Sequence, residues 1–271
     1  MFWLGRRVLL GRLALLAAGN GVPPGSSCAA SSSTLAATTD LRITLPALEE
    51  GWRRLYLVRH GETEWNAEQR IQGSTDNPLN GRGLEQASLL ASFLSESPLG
   101  LITSSPLARA SLTADAVAAF HPAAVRVPPD ARFEEMCFGQ YEGRRLPEFR
   151  PEYDRITTEW AQGRVDLKWP GERGESAATV AERALAGFGA LGLFEEGYAR
   201  CPSHVLVAAH GRFNKIAIAA LQGDLTRCNE LSQGNTCINV IDIRPDGRGG
   251  YIARLVAANV RDHLGNAKVM S

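Results

Sequence analysis

The sequence predicts an α/β fold built around two neighbouring central strands, and three observations carry that expectation. Leu55–Val58 and Val205–Ala209 are unbroken apolar runs with no turn residue inside them, the pattern of strands covered on both faces. Each run stops abruptly at a histidine and a glycine: Val58-Arg59-His60-Gly61 in one, Ala209-His210-Gly211 in the other. Around them lie segments with apolar residues at helical spacing, such as Leu84, Ala87, Leu90, Ala91 and Leu94. Two such strands side by side deliver both histidines to one sheet edge, and the carboxyl edge of an open α/β sheet is where loops form a crevice.

Taken in order, the chain opens with a stretch unlike the rest. Arg6, Arg7 and Arg12 stand among many Ala, Leu, Ser and Thr residues, with no acidic residue before Asp40. An Arg-rich, Ser-rich, acid-poor leader is the pattern of organellar import, so residues 1–45 are expected to be a targeting peptide without fixed structure, and residues 46–271 the folded domain. The Ser/Thr-rich part from Ser26 to Thr39 leans towards chloroplast over mitochondrion; a secretory signal is the alternative, with Arg12 interrupting the apolar run it would need. The run from Val8 to Ala18 falls short of the roughly 20 apolar residues that span a bilayer. Charge is balanced, 29 basic against 29 acidic residues, so no global field draws nucleic acid or an acidic membrane, and an anion site must come from a local cluster. The five cysteines are odd in number and contain no C-x-x-C pair, which reads as reduced, packed thiols and neither a disulfide framework nor a zinc site.

The first strand ends in Arg59, His60 and Gly61. A guanidinium suits a phosphoryl group because its planar fork donates two parallel charge-assisted hydrogen bonds. A neighbouring cation also favours the neutral imidazole, whose lone pair can attack phosphorus, and Gly61 lets the backbone turn closely around a bound group. The string LVRHGETEWN, followed by RIQGSTDNPLNGRGLEQA, resembles the start of the histidine phosphatase superfamily in its phosphoglycerate-mutase-like branch. The resemblance implies a three-layer α/β/α sandwich with a mixed, mostly parallel central sheet, and a phosphohistidine mechanism without metal or other cofactor.

The later segments are read against that resemblance. Asn66, Gln72 and Gly73 match positions that touch phosphate or substrate, with turn satisfaction the alternative for Gln72; Thr63 matches a hydroxyl near the site or else caps the helix after it. Leu101-Ile102 begins a second strand, and Ser105 to Ala110 resembles an S-x-x-x-R-A element whose arginine, Arg109, points from the first turns of a helix at the phosphate, where helix-end amides already favour an anion. After a candidate strand at Val125–Val127, Arg132 to Gly143 resembles L-x-E-x-x-F-G-x-x-E-G, which places the proton donor at Glu135; Glu134 beside it is the competing assignment. Arg144, Arg145, Arg150 and Lys168 lie in the segment that caps the pocket in the family, where they are read as contacts for a second anionic group or, for most of them, as solvated surface charges; a short helix is expected over Pro147–Trp160. Ser176 is expected to cap a helix with Ala181, Leu185, Phe188 and Leu191 on its packed face. His210 is then the second catalytic histidine, cationic or a neutral donor, with Gly211 beside it at the phosphate and the role of Arg212 open. A helix over Lys215–Leu221 and strands over Thr236–Ile243 and Tyr251–Ala257, pairing as an outer hairpin, complete the chain.

In function, His60 is expected as nucleophile, Glu135 as proton donor and then base for water, and Arg59, Arg109 and His210 as the phosphate clamp. The partner is then a small phosphorylated metabolite, with neither nucleic acid nor membrane. A phosphomonoesterase is preferred to a cofactor-dependent mutase because Arg144-Arg145 lies too early to match the paired arginine of the mutases. A non-catalytic member that binds a phosphorylated partner is the third reading, opposed by the intact set of residues.

Overall fold

The computed structural model describes residues 44–197 and 201–265, so the expected leader lies almost wholly outside the described residues. Six strands, β1 (Arg53–Arg59), β2 (Leu101–Ser104), β3 (Val125–Arg126), β4 (His204–Ala209), β5 (Ile238–Pro245) and β6 (Tyr251–Val260), form one sheet in the order β3-β2-β4-β1-β5-β6. The β3, β2, β4 and β1 neighbours run parallel, and β5 alone is inverted, pairing antiparallel with both β1 and β6. The helices are α1 (Glu64–Ala67), α2 (Gly81–Leu94), α3 (Ala108–Ala118), α4 (Arg150–Ala161), α5 (Ala177–Ala190) and α6 (Gly211–Leu221).

The two apolar runs owe their lack of alternation to burial on both sides. Leu55, Leu57, Val205, Val207 and Ala209 pack in one cluster with Phe188 of α5 and Phe213 and Ile216 of α6. Tyr56, Val58, Leu206 and Ala208 face a second cluster holding Leu90 and Leu94 of α2 and Ala114 and Val117 of α3. The result is a three-layer sandwich with a mixed, mostly parallel sheet. Each fully buried Leu or Val contributes roughly 1.5–3 kcal/mol, so β1 and β4 together anchor the domain far more firmly than any surface ion pair.

Several boundaries differ from expectation for identifiable reasons. Leu84 is 54% exposed and lies off the packed face of α2, which starts earlier, at Gly81, with Asn80 Oδ1 accepting from the Gly83 amide at 2.8 Å. The Pro147–Trp160 segment splits into a 3₁₀ turn, Leu146–Phe149, running into α4, because Pro151 fits a helix start and not a helix interior. The last helix begins at Gly211 and not at Lys215, so His210 is its N-cap residue. The first strand of the terminal hairpin starts at Ile238, since Thr236 holds a φ of 52° that a ladder does not accept. Ser176 caps α5 as expected, its hydroxyl accepting from the Thr179 amide at 3.1 Å. All four described cysteines are buried and unpaired, and no helix among the described residues is long and apolar enough to cross a membrane.

Candidate active site

Strands β1 and β4 end level, with Arg59 opposite Ala209, so the residues that follow leave the sheet together. The rings of His60 and His210 sit with centroids 5.2 Å apart, and the His60 amide still donates to the Ala209 carbonyl at 3.0 Å. Both rings are buried. His60 Nδ1 stands 2.6 Å from the Gly61 carbonyl. A carbonyl only accepts, so Nδ1 carries the proton and the lone pair belongs to Nε2. Burial, reinforced by Arg109 and Arg59, holds the His60 pKa well below the usual histidine value. Burial does the same to His210, followed by Arg109, His60, Arg183 and Arg59. Both imidazoles are therefore held in the neutral form at neutral pH, which makes His210 a neutral donor and not a cation.

Arg109 lies in the first turn of α3 and is wholly buried. Its Nη1 donates to the Thr75 carbonyl at 2.7 Å and its Nη2 to the Gly73 carbonyl at 2.8 Å. Burial lowers its pKa to about 10, still high enough to keep it cationic. Arg59 Nη1 donates to the Gln233 carbonyl at 2.6 Å. Among the described residues, Arg59 Nε, Arg109 Nε and both ring nitrogens of His210 are buried without a hydrogen-bond partner. An unmet buried donor costs about 1–3 kcal/mol, so such a group on two cations and a histidine marks a place built to receive an oxyanion.

Glu135 completes the cluster. Its Oε1 accepts from the amides of Phe213 at 2.8 Å and Met136 at 2.9 Å, and its Oε2 from Arg212 at 3.1 Å. The carboxylate thus docks on the first turn of α6, directly after His210, and attracts both Arg59 and Arg109. The side chain of Glu134 makes no hydrogen bond to a described residue; its carbonyl accepts from Arg183.

Residues 55–254 match the family model described as histidine phosphatase superfamily (branch 1). The chain belongs to that superfamily. It is 33% identical over 158 residues to a Serratia proteamaculans protein named "Probable phosphoglycerate mutase GpmB", covering 58% of this chain and 69% of that one, and 34% identical with the same coverage to its Escherichia coli namesake. Among solved structures, a mycobacterial glucosyl-3-phosphoglycerate phosphatase in complex with VO3 superposes with a TM-score of 0.63 at 27% identity, over 77% of this chain and 99% of that one. An Entamoeba histolytica phosphoserine phosphatase mutant in complex with phosphoserine gives 0.63 at 27%, over 78% and 99%. The relatives are thus phosphatases and mutases together.

In this member of the superfamily the remaining sequence-predicted residues fall into two groups. Thr63 and Asn66 form a reciprocal capping box on α1, with Asn66 Oδ1 also accepting from Asn235 Nδ2 at 3.1 Å. Asn235 Nδ2 lies 3.2 Å from the His60 carbonyl as well, so this pair braces the end of β1. Gln72 and Gly73 lie in the loop that receives Arg109: Gln72 Oε1 is buried without a partner among the described residues, and the Gly73 carbonyl accepts from Arg109. Gly73 has a φ of +54°, and a Cβ there would fall 2.0 Å from Glu142 Oε1. A Cβ on Gly211 would stand 3.2 Å from Arg59 Nε, so this glycine makes room for the guanidinium. Gly61 has a different reason from the expected one: a Cβ would meet the Gly83 carbonyl at 2.5 Å, so its smallness serves the docking of α2.

Several residues that the motifs left unassigned hold the site together. Glu142 Oε1 accepts from the amides of Ser74 at 3.0 Å and Phe138 at 3.1 Å, tying the 73–75 loop to the acid segment. Arg183 donates to the carbonyls of Arg132, Glu134 and Glu135 while pairing with Glu175 at 2.9 Å, which clamps the turn that presents Glu135. Arg212 is turned away, donating to Asn229 Oδ1 at 2.6 Å and to the Tyr153 hydroxyl of α4. Arg144, Arg145, Arg150 and Lys168 are all exposed, with Arg144 3.6 Å from Glu148 and Arg150 2.8 Å from Asp154. Glu142 had a sequence signal in the Glu-Gly of Glu142-Gly143, and Glu175 in its resemblance to the family's Gly-Glu-Ser element; Arg183 is an unmarked residue inside a helix.

Proposed function

We propose that this protein hydrolyses phosphate monoesters of small metabolites through a phosphohistidine on His60, with no metal in the reaction. The observation that carries the reading is the Nδ1 contact with Gly61, which leaves the Nε2 lone pair on a neutral, buried imidazole flanked by Arg59 and Arg109. In the first step the monoanion of the incoming phosphate ester, whose second proton titrates at about 6, passes that proton to the Glu135 carboxylate; Nε2 then attacks phosphorus in line, the P–O ester bond breaks, and Glu135 gives the proton to the departing oxygen. The Nδ1–H bond to Gly61 spreads the positive charge that develops on the ring. Arg59, Arg109 and the N–H of His210 face the charge on the equatorial oxygens, the work a metal does in other phosphoryl-transfer sites. In the second step Glu135 takes a proton from water, the hydroxide oxygen bonds to phosphorus, and the P–N bond breaks to release phosphate and neutral His60.

A mutase shares these steps and differs in the acceptor, a second hydroxyl in place of water, and the names of the bacterial relatives keep that reading in view. Against it, Arg144 of the only Arg-Arg pair in the cap lies over the rings of Tyr141 and Phe149 at the surface. The deciding experiment incubates the protein, with chelator present, with p-nitrophenyl phosphate and a panel of phosphorylated carboxylates and sugars, beside His60→Ala. Phosphate release that resists the chelator and disappears in His60→Ala is expected. Transfer seen only when a bisphosphate primer and phosphoglycerate are supplied would replace hydrolase by mutase, and silence under both conditions would leave a binding protein.

A further inference from the structure

Arg59 has a second neighbourhood. It borders a cavity of about 650 Å³ between α2, the 232–235 loop and the end of β6, whose lining contains neither histidine of the site, nor Arg109, nor Glu135. Four cations, Arg59, Arg82, Lys215 and Arg261, stand on this wall against two acids, Glu62 and Glu85. Neither acid pairs with Lys215 or Arg261, though Glu62 attracts Arg59. Glu62 lies 3.6 Å from Arg82 and accepts from Asn80 Nδ2 at 3.1 Å, while Arg82 and Glu85 are exposed. Lys215 and Arg261 are part-buried, and their side chains make no hydrogen bond or ion pair with any described residue. Burial, followed by the repulsion of Arg212 and Arg59, lowers the Lys215 pKa to about 8. The rest of the lining is rich in side-chain amides, Asn66, Gln69 and Asn259 among them, which hydrogen-bond a polar ligand without adding charge.

Unneutralised cations gathered in a partly desolvated cavity repel one another, and an anionic oxygen group relieves that cost while gaining charge-assisted hydrogen bonds. We propose that this cavity receives a second anionic group of the substrate, a carboxylate or phosphate, on Lys215 and Arg261, with Arg59 shared between it and the phosphoryl site. The inference rests on the reading that the phosphoryl group is held at Arg59 and His60. It makes the preferred substrates esters with two separated anionic groups, and it places the discriminating residues on α6 and after β6, away from the exposed cations of the cap.

The test uses probes that cannot turn over. Equilibrium binding of ω-carboxyalkylphosphonates and alkane bisphosphonates is compared with that of alkylphosphonates of matching length, on the full chain and on Lys215→Met and Arg261→Met. At the chain length that spans the two sites, the second anionic group is expected to tighten binding about tenfold, and either substitution to abolish most of that gain. Whichever of carboxylate or phosphonate shows the gain names the group. No gain at any length, a gain that survives both substitutions, or an equal loss of all probes in both variants would overturn the proposal. Turnover of p-nitrophenyl phosphate is followed separately: silence there with the binding gain intact would remove the hydrolase reading and leave the second anion site standing.

Discussion

At the scale of single residues, the site depends on which atom holds which proton. His60, the proposed nucleophile, is oriented by a carbonyl at 2.6 Å and kept neutral by burial and the neighbouring cations. Glu135 is fixed by three backbone amides, two of them on the turn that follows His210. Those bonds orient the carboxyl group, so its contribution should be that of a positioned proton donor. Glu135→Gln keeps the shape and removes the proton, and is expected to lower kcat by about 10²–10⁴-fold on alkyl phosphates. The loss should be much smaller on p-nitrophenyl phosphate, whose leaving oxygen needs no proton. Equal losses on both esters would assign Glu135 a purely structural part.

Among the elements, the acid turn is held by helix α5 through one side chain. Arg183 spans the carbonyls of Arg132, Glu134 and Glu135 and the carboxylate of Glu175, whose Oε2 in turn accepts from the Cys137 amide at 2.9 Å. Removing it frees the turn without touching the phosphoryl group. Arg183→Met is therefore expected to cut kcat about tenfold to a hundredfold with little change in KM, as misplacement of a catalytic group by about 1 Å does. Because Arg183 acts through Glu135, the loss should show the same leaving-group dependence as Glu135→Gln and be partly restored in Arg183→Lys. A change confined to KM would place Arg183 at the substrate instead.

Over the whole molecule, burial sets the response to acid. All five histidines of the sequence, His60, His121, His204, His210 and His263, have pKa values lowered by burial as the first cause, that of His263 to about 4. A group whose folded pKa lies below its unfolded value leaves the unfolded chain with more protons, so stability is full above about 6.5 and declines as pH falls towards the folded values. Urea unfolding followed between pH about 7.5 and about 4.5 is expected to show that decline, and saturating inorganic phosphate to offset part of it by binding the folded state. A flat profile across that range would show that the histidines titrate alike in both states.

What the sequence by itself determined was whatever is local or doubly buried. Leu55–Val58 and Val205–Ala209 announced central strands because burial on two faces removes all alternation, and the histidine that ends each strand must lie at the sheet edge. Arg109 was legible through the resemblance of Ser105–Ala110 to the S-x-x-x-R-A element, a local string at the start of a helix. The tertiary structure alone decided the rest. Adjacent Glu134 and Glu135 differ only in which of them meets the amides of Arg212 and Phe213, some 77 or 78 residues away. The smallness of Gly61 answers to Gly83, the brace on His60 comes from Asn235, and Arg212 is drawn to Tyr153 and Asn229. Periodicity reports how buried a side chain must be and motif spacing reports what precedes it. Neither reports which distant partner supplies the hydrogen bond, because that partner is chosen by the order and register in which the strands assemble.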